Sequence, residues 1–367
     1  MKDKKTLGSI FLITIIILIV VSISMIASVS FTKGMREYNN YYYFLQRQVI
    51  WIIIGTVVFY LVSRIDYRWY KNKRTILYFF GFGLLILVLL IGKEVNGAQR
   101  WLGFGSISIQ PSEFVKLIFI LYLASSLEFY RHKNYTPRAT LIASFIPLLI
   151  YCCLIVAEKA FSNTVHLFII GSIMMLMSRI DLVEYSVALL VSALFGLVAM
   201  FSSPYRIKRI LNYMNGFGEG NNDIGYQARQ SLIAIGGGGI FGRFYGNGLQ
   251  KYFFLPEIHT DYIFSGYSEE LGFIGTISLI IVYLAMLTII VMSISRIKDM
   301  YGKFILIGIF ALFATQVVGN IAVVTGMIPS TGIPLPIVSY GGSSIIMIMM
   351  ALGIVYNIIK NIGVEEK

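Results

Sequence analysis

The run Leu7-Gly-Ser-Ile-Phe-Leu-Ile-Thr-Ile-Ile-Ile-Leu-Ile-Val-Val-Ser-Ile-Ser-Met-Ile-Ala-Ser-Val-Ser-Phe31 contains no charged residue. A helix needs about 20 apolar residues to cross roughly 30 Å of hydrocarbon, and this run exceeds that. Lys2, Lys4 and Lys5 precede it, as basic residues precede a secretory signal. A signal's apolar stretch is only about 7–15 residues, however, so the run reads as a retained first helix.

Working outward, comparable apolar stretches recur at 48–63, 75–92, 112–130, 139–157, 163–178, 183–201, 270–294, 303–327 and 338–359. In lipid every backbone group must bond inside its own segment, so each stretch is expected to be a helix. Only 13% of the 367 residues are charged and 57% are hydrophobic, against about 25% charged in a soluble domain. Tyr residues near the ends of the runs fit an interfacial belt. The expected fold is an all-α integral membrane protein. It is one polytopic domain, 1–367, with about ten transmembrane helices and a long, partly structured extracytoplasmic loop, 202–260, between helices 7 and 8.

Charge sets the orientation. One set of short connections carries Lys2, Lys4, Lys5, Arg64, Arg68, Lys71, Lys73, Arg74, Arg131, Lys133, Arg138, Arg179, Arg296, Lys298, Lys303, Lys360 and Lys367. The opposite set carries only Lys33, Arg36, Arg47, Lys93, Arg100 and Lys159. By the positive-inside rule both termini are expected in the cytoplasm. Topology accounts for most of the +12 net charge, so no nucleic-acid partner is expected. The adjacent Cys152 and Cys153 lie in an apolar run, where packing is their expected role.

The 202–260 segment mixes Gly, aromatic and apolar residues with Arg206, Lys208, Arg209, Arg229, Arg243 and Lys251. A folded, basic outer cap suits an anionic ligand at the membrane surface. The Gly-rich stretch 235–248 lacks the spacing of a nucleotide loop, and its glycines suit tight turns or close backbone approach. Pro329, Pro334 and Pro336, followed by Ser339-Tyr-Gly-Gly-Ser-Ser344, imply a stiff re-entrant connection. Glu113 and Lys116 share a helix face just after Pro111. They are either a mutually neutralised pair near the interface or a polar feature lining a cavity. Asp261 lies in Leu255-Pro-Glu-Ile-His-Thr-Asp-Tyr-Ile-Phe264, where the outer loop re-enters the membrane. It suits proton acceptance at a half-dry boundary, or a helix start together with Thr260. Glu257 and His259 are close by, and Glu269 and Glu270 are a second acidic site or interfacial charges. His132 and His166 have no partners at transition-metal spacing.

These motifs resemble the SEDS family (shape, elongation, division and sporulation), the RodA/FtsW/SpoVE-like peptidoglycan glycosyltransferases. The resemblance runs in order through Asn96-Gly-Ala-Gln-Arg-Trp101, Gln110-Pro-Ser-Glu-Phe-Val-Lys116, Arg229-Gln-Ser231, Gln250-Lys251, 255–264, Glu269-Glu-Leu-Gly272 and the Pro-rich loop. It implies polymerisation of lipid II into glycan strands at the outer face of the cytoplasmic membrane, with release of undecaprenyl pyrophosphate. It also implies Asp261 as general base on the acceptor sugar 4-hydroxyl. Substrate contacts are expected from Glu113, Lys116, Arg100, Arg229, Gln250, Lys251, Glu257, His259, Thr260 and Ser339. Of these, Arg229, Lys251 and Arg100 are the expected pyrophosphate cations, with Arg243 a weaker one. A divalent cation, Mg or Mn, is compatible with that role, and the implied partner is a class B penicillin-binding protein transpeptidase.

Departures from the family pattern are Gly237 where Ser is usual, Phe244 at a glycine position, Tyr262 for the commoner Phe, and a loose fit over 158–164. Gln250-Lys251, Glu269-Glu-Leu-Gly272 and Gly319-Asn-Ile321 lean towards the FtsW branch, while the short termini lean towards RodA. Two other functions fit the same composition: a lipid II flippase, and a non-catalytic scaffold that binds lipid II for a transpeptidase.

Overall fold

The computed structural model describes residues 2–95, 98–104, 107–201, 207, 211, 213, 223–252 and 254–363. Asn96 and Gly97 of the first motif, Arg206, Lys208 and Arg209 of the outer loop, and Lys367 lie outside the described residues. The helices are α1 (Lys2–Val29), α2 (Phe31–Tyr38), α3 (Tyr43–Arg64), α4 (Arg74–Ile91), α5 (Pro111–His132), α6 (Pro137–Ala157), α7 (Phe161–Leu176), α8 (Leu182–Phe201), α9 (Asp223–Gly238), α10 (Ile263–Arg296), α11 (Met300–Val324) and α12 (Gly342–Asn361). A tight helical turn, Tyr67–Lys73, leads into α4.

Each of the ten expected segments coincides with a helix. Among the described residues, eight stretches are long and apolar enough to cross a membrane: Lys5–Val29, Tyr43–Arg64, Tyr67–Ile91, Pro137–Ala157, Leu182–Phe201, Ile263–Arg296, Met300–Val324 and Gly342–Asn361. The other two expected crossings are α5, which carries Glu113, Lys116, Glu128 and Arg131, and the shorter apolar α7.

Local chemistry sets the helix ends. Pro occupies the first turn of α5 and of α6, where its missing N–H costs nothing. Thr136 caps α6 by accepting from the Ala139 N–H, and Asp299 caps α11 by accepting from Tyr301 and Gly302. Asn39 closes α2 in the left-handed region.

One feature departs from the all-helical expectation. Strands β1 (Lys93–Val95), β2 (Ala98–Phe104) and β3 (Ile107–Ile109) form an antiparallel meander between α4 and α5. Val95 pairs with Ala98 and Phe104 with Ile107. The outer segment also contains the helix α9, packed on α10 and α11.

The bundle core follows close helix approaches. α3 runs along α12, where a Cβ on Gly353 would meet the Phe59 carbonyl oxygen at 2.8 Å. α11 lies between α5 and α7, and a Cβ on Gly308 would meet Ile120 at 2.5 Å and Met174 at 2.7 Å. α1 packs against α10, α3 and α12, so the first helix touches the last.

Candidate functional site

Asp261 stands one residue before the N-cap of α10 and is half-buried. Its backbone is held from two sides. The Asn320 side-chain amide on α11 donates to the Asp261 carbonyl at 2.8 Å and to the Ile333 carbonyl at 2.9 Å. The Ser339 hydroxyl donates to the Thr260 carbonyl at 2.6 Å and accepts from the Leu335 N–H at 2.9 Å. The Tyr340 N–H donates to the His259 carbonyl at 2.9 Å. The Pro-rich loop is therefore stapled to the 259–261 segment. Tyr283 on α10 pins the same loop by donating to the Pro336 carbonyl at 2.6 Å. Gly332 has φ 71, and a Cβ there would lie 3.6 Å from Asp261 Oδ2, so the loop lies directly against the carboxylate.

The rest of the motif supports this segment. The Thr260 hydroxyl donates to Glu257 Oε2 at 3.1 Å, and Glu257 faces Lys33 at 3.7 Å. His259 is buried, with ring contacts to Phe44 at 4.8 Å and Tyr340 at 5.7 Å. Burial, and secondarily the nearby Lys33 charge, push its pKa down to about 3, so the ring is neutral at pH 7.

Lys251 and Gln250 belong to a different buried cluster. Lys251 Nζ pairs with Glu270 Oε1 at 2.9 Å, donates to the Ser28 hydroxyl at 3.0 Å, and also donates to the Gly246 carbonyl. Ser28 donates to the same Glu270 oxygen at 2.6 Å, and the Gly246 N–H donates to Glu270 Oε2 at 3.0 Å. Glu269 accepts from the Leu249 and Gln250 N–H groups at 2.8 and 3.1 Å. Arg243 lies 3.8 Å from Glu269. The two glutamates thus fasten the 246–251 loop to α10. Read from the sequence as an outer cation for pyrophosphate, Lys251 is engaged inside this cluster, because its counter-charge comes from Glu270, 19 residues later. At Gly272 (φ 66, ψ −166) α10 breaks, and Phe273 and Ile274 donate instead to the carbonyls of Gly239 and Ile240.

Of the other expected cations, Arg229 is exposed on α9. Ser231, in the same motif, ties α9 down by contacts to the Ser265 hydroxyl and the Val324 carbonyl, both at 2.6 Å. Arg100, on β2, is half-buried and donates to the Lys159 carbonyl. Next to Lys159, Glu158 is fully buried at the end of α6. Desolvation raises its pKa to about 8, against a smaller lowering by Arg100.

Glu113 and Lys116 form a buried pair at 2.8 Å, one turn into α5. Their neighbourhood holds polar groups to which the sequence assigns no substrate role. Asn163 donates to Ser112 at 3.1 Å, and His166 Nε2 contacts the Thr315 hydroxyl at 2.7 Å. Gln316 is fully buried on α11. A Gln or Asn inside an apolar span is itself a functional signal, and Gln316 and Asn320 carried it.

Among the described residues, no group of three or more His, Cys, Asp or Glu is arranged to hold a metal ion. The described side chains therefore form no cage of their own for the divalent cation with which the resemblance is compatible.

The sequence pattern of the FtsW/RodA/SpoVE group, described as cell cycle proteins, matches residues 9–362. The chain belongs to this family. It is 36% identical to stage V sporulation protein E of Bacillus subtilis, covering 98% of each chain. It is also 36% identical to the probable peptidoglycan glycosyltransferase FtsW of Trichlorobacter lovleyi, covering 95% of this chain and 92% of the relative. Among solved structures, a chain of a peptidoglycan synthase complex superposes with a TM-score of 0.80 at 23% identity, covering 97% of this chain and 98% of that one. RodA of Thermus thermophilus superposes at 0.70 and 23%, covering 97% of both. The fold is thus that of the FtsW/RodA/SpoVE membrane proteins, and this family member is a multi-pass membrane protein.

Proposed function

We propose that the chain is a peptidoglycan glycosyltransferase that polymerises lipid II at the outer face of the bacterial cytoplasmic membrane, with both termini in the cytoplasm. The observation that carries this reading is the Asp261 carboxylate, half-buried, with its backbone clamped by Asn320 and its side chain against Gly332 of the Pro-rich loop. A base held this way is oriented before substrate arrives, and a positioned base contributes typically 10²–10⁴-fold.

In the proposed step, the acceptor sugar 4-hydroxyl gives its proton to Asp261 while its oxygen bonds to the donor anomeric carbon. The bond from that carbon to the pyrophosphate oxygen breaks, and undecaprenyl pyrophosphate leaves with the electron pair. A single displacement inverts the anomeric centre. Charge grows on the departing pyrophosphate, which favours cations there. Arg229, exposed on α9, and Arg100 on the meander are the proposed partners. With Lys251 engaged by Glu270, its contribution is to shape the loop. Glu257, His259, Thr260 and Ser339 hold the base in place, and Glu113 and Lys116 line the deeper part of the site. A class B penicillin-binding protein is the proposed transpeptidase partner. The relative whose name is FtsW glycosyltransferase and the peptidoglycan synthase complex support this reading.

The test is the purified protein in vesicles with lipid II. Polymer made by the natural chain and lost in Asp261→Asn, with the variant still folded, is the expected outcome. Lipid II crossing the bilayer without polymer identifies a flippase, and binding without either activity identifies a scaffold. Each of those two results overturns the proposal.

A further inference from the structure

Three helices bring buried polar groups to one level of the bundle. α11 runs antiparallel to α5 and α7, and Gly308 faces Ile120 and Met174. Eight residues further along α11 is Gln316, and eight residues back along the neighbours are Ser112 and His166, beside Glu113 and Asn163. The contacts of His166 with the Leu312 carbonyl at 3.3 Å and the Thr315 hydroxyl at 2.7 Å confirm this register.

At this level several polar atoms have no hydrogen-bond partner among the described residues: Glu113 Oε2, His166 Nδ1, and both Oε1 and Nε2 of Gln316. The three residues are 5%, 2% and 0% exposed. An unsatisfied buried polar group costs about 1–3 kcal/mol, so three of them at one level call for a common hydrogen-bonding occupant.

The chemistry of that occupant can be narrowed. The Thr315 hydroxyl donates its single proton to the Ala311 carbonyl at 2.6 Å, so it accepts from His166 Nε2–H. In the neutral ring Nδ1 is then a bare acceptor. Among the unpartnered atoms at this level, three are acceptors (Glu113 Oε2, His166 Nδ1, Gln316 Oε1) and one is a donor, the Gln316 amide. Glu113 is already balanced by Lys116. Net charge close to zero, with acceptors in excess, suits hydroxyl and amide N–H groups and does not suit a pyrophosphate.

Position links this pocket to the base. Gln316 lies one turn, about 6 Å, below Asn320 on the same face of α11, and Asn320 bonds the Asp261 backbone. A sugar ring whose hydroxyl reaches Asp261 spans about that distance. We infer that Gln316 and His166, with Glu113, form a neutral subsite that hydrogen-bonds the hydroxyl or acetamido groups of the sugar whose neighbouring hydroxyl reaches Asp261. The inference rests on the glycosyltransferase reading and adds two binding residues and a ligand chemistry to it.

The experiment measures lipid II affinity in the full-length Asp261→Asn protein, which binds without turnover, alongside polymerisation kinetics of the natural chain. Gln316→Met and His166→Leu are introduced into both backgrounds. The expected result is affinity weakened about 10-fold and KM raised by a similar factor, with thermal stability unchanged or higher because an orphaned polar group has been replaced by an apolar one. Unchanged affinity in both variants overturns the inference and leaves ordered water as the occupant. If one variant does not fold, Gln316→Glu supplies the second measurement: it keeps an acceptor but removes the unpartnered amide donor and adds charge, and it too is expected to bind weakly. A natural chain that binds lipid II but never polymerises it defeats the function proposed above, while the subsite is still judged by affinity.

Discussion

The Lys251 ammonium lies 2.9 Å from the Glu270 carboxylate, with side-chain exposures of 6% and 1%. Removing one partner strands the other charge. Lys251→Met and Glu270→Gln are each expected to destabilise the protein by about 3–5 kcal/mol, read as a lower unfolding temperature in detergent. The double variant is expected to recover part of that loss, since no unpaired charge remains.

At Gly272 the backbone adopts φ 66 and ψ −166, and a Cβ would meet the Gly242 nitrogen at 2.2 Å. This conformation is essentially restricted to glycine. Gly272→Ala is expected to cost at least about 2 kcal/mol and to release the Gly239–Gly248 loop. Limited proteolysis of that loop, faster in the variant than in the natural chain, is the measurement.

Asn320 bonds both the Asp261 carbonyl and the Ile333 carbonyl of the Pro-rich loop, adding a side-chain clamp to the contacts of Ser339 and Tyr340. Asn320→Leu is expected to lower kcat for glycan polymerisation by about 10-fold or more through misplacement of the base. Protein abundance is expected to change little. Equal kcat in the variant and the natural chain would show that the clamp is dispensable.

Glu158 has its pKa raised from 4.5 to about 8, chiefly by burial. Between those values the folded chain keeps a proton that the unfolded chain gives up. Its contribution to stability is therefore full below pH 4.5, declines as pH rises, and levels off above about pH 8. Glu158→Gln removes this titration. The unfolding temperature of the variant is expected to vary less than that of the natural chain across pH 5–8.

The helices were legible because lipid leaves the backbone few alternatives, and ten apolar stretches mark where they run. Their ends were less so. α3 starts at Tyr43 and α10 at Ile263, because flanking polar turns continue the helix beyond the apolar run. The meander was missed although Asn96-Gly97 separates the paired Val95 and Ala98, and Asn-Gly is a strong hairpin signal. Asp261, Thr260 and Ser339 do converge, since their motifs meet at one re-entrant corner. Lys251 was read by its charge alone, which does not reveal that Glu270 and Ser28 surround it. His166 was considered only as a metal ligand, and Gln316 was read as part of an apolar stretch. Their shared level emerges only once α5, α7 and α11 pack.

The placement of α1 has a consequence for biosynthesis. This segment leaves the ribosome well before α10 and α12, yet Ser22 bonds the Val338 carbonyl and Ser28 bonds Glu270, both made more than 240 residues later. Translation runs at about 5–20 residues per second. The newborn hairpins therefore wait in the bilayer for tens of seconds with their outer hydroxyls without these mates, and ring closure around the first helix is among the final events of assembly. Chains cut short before α10 would expose that unfinished seam to quality-control proteases.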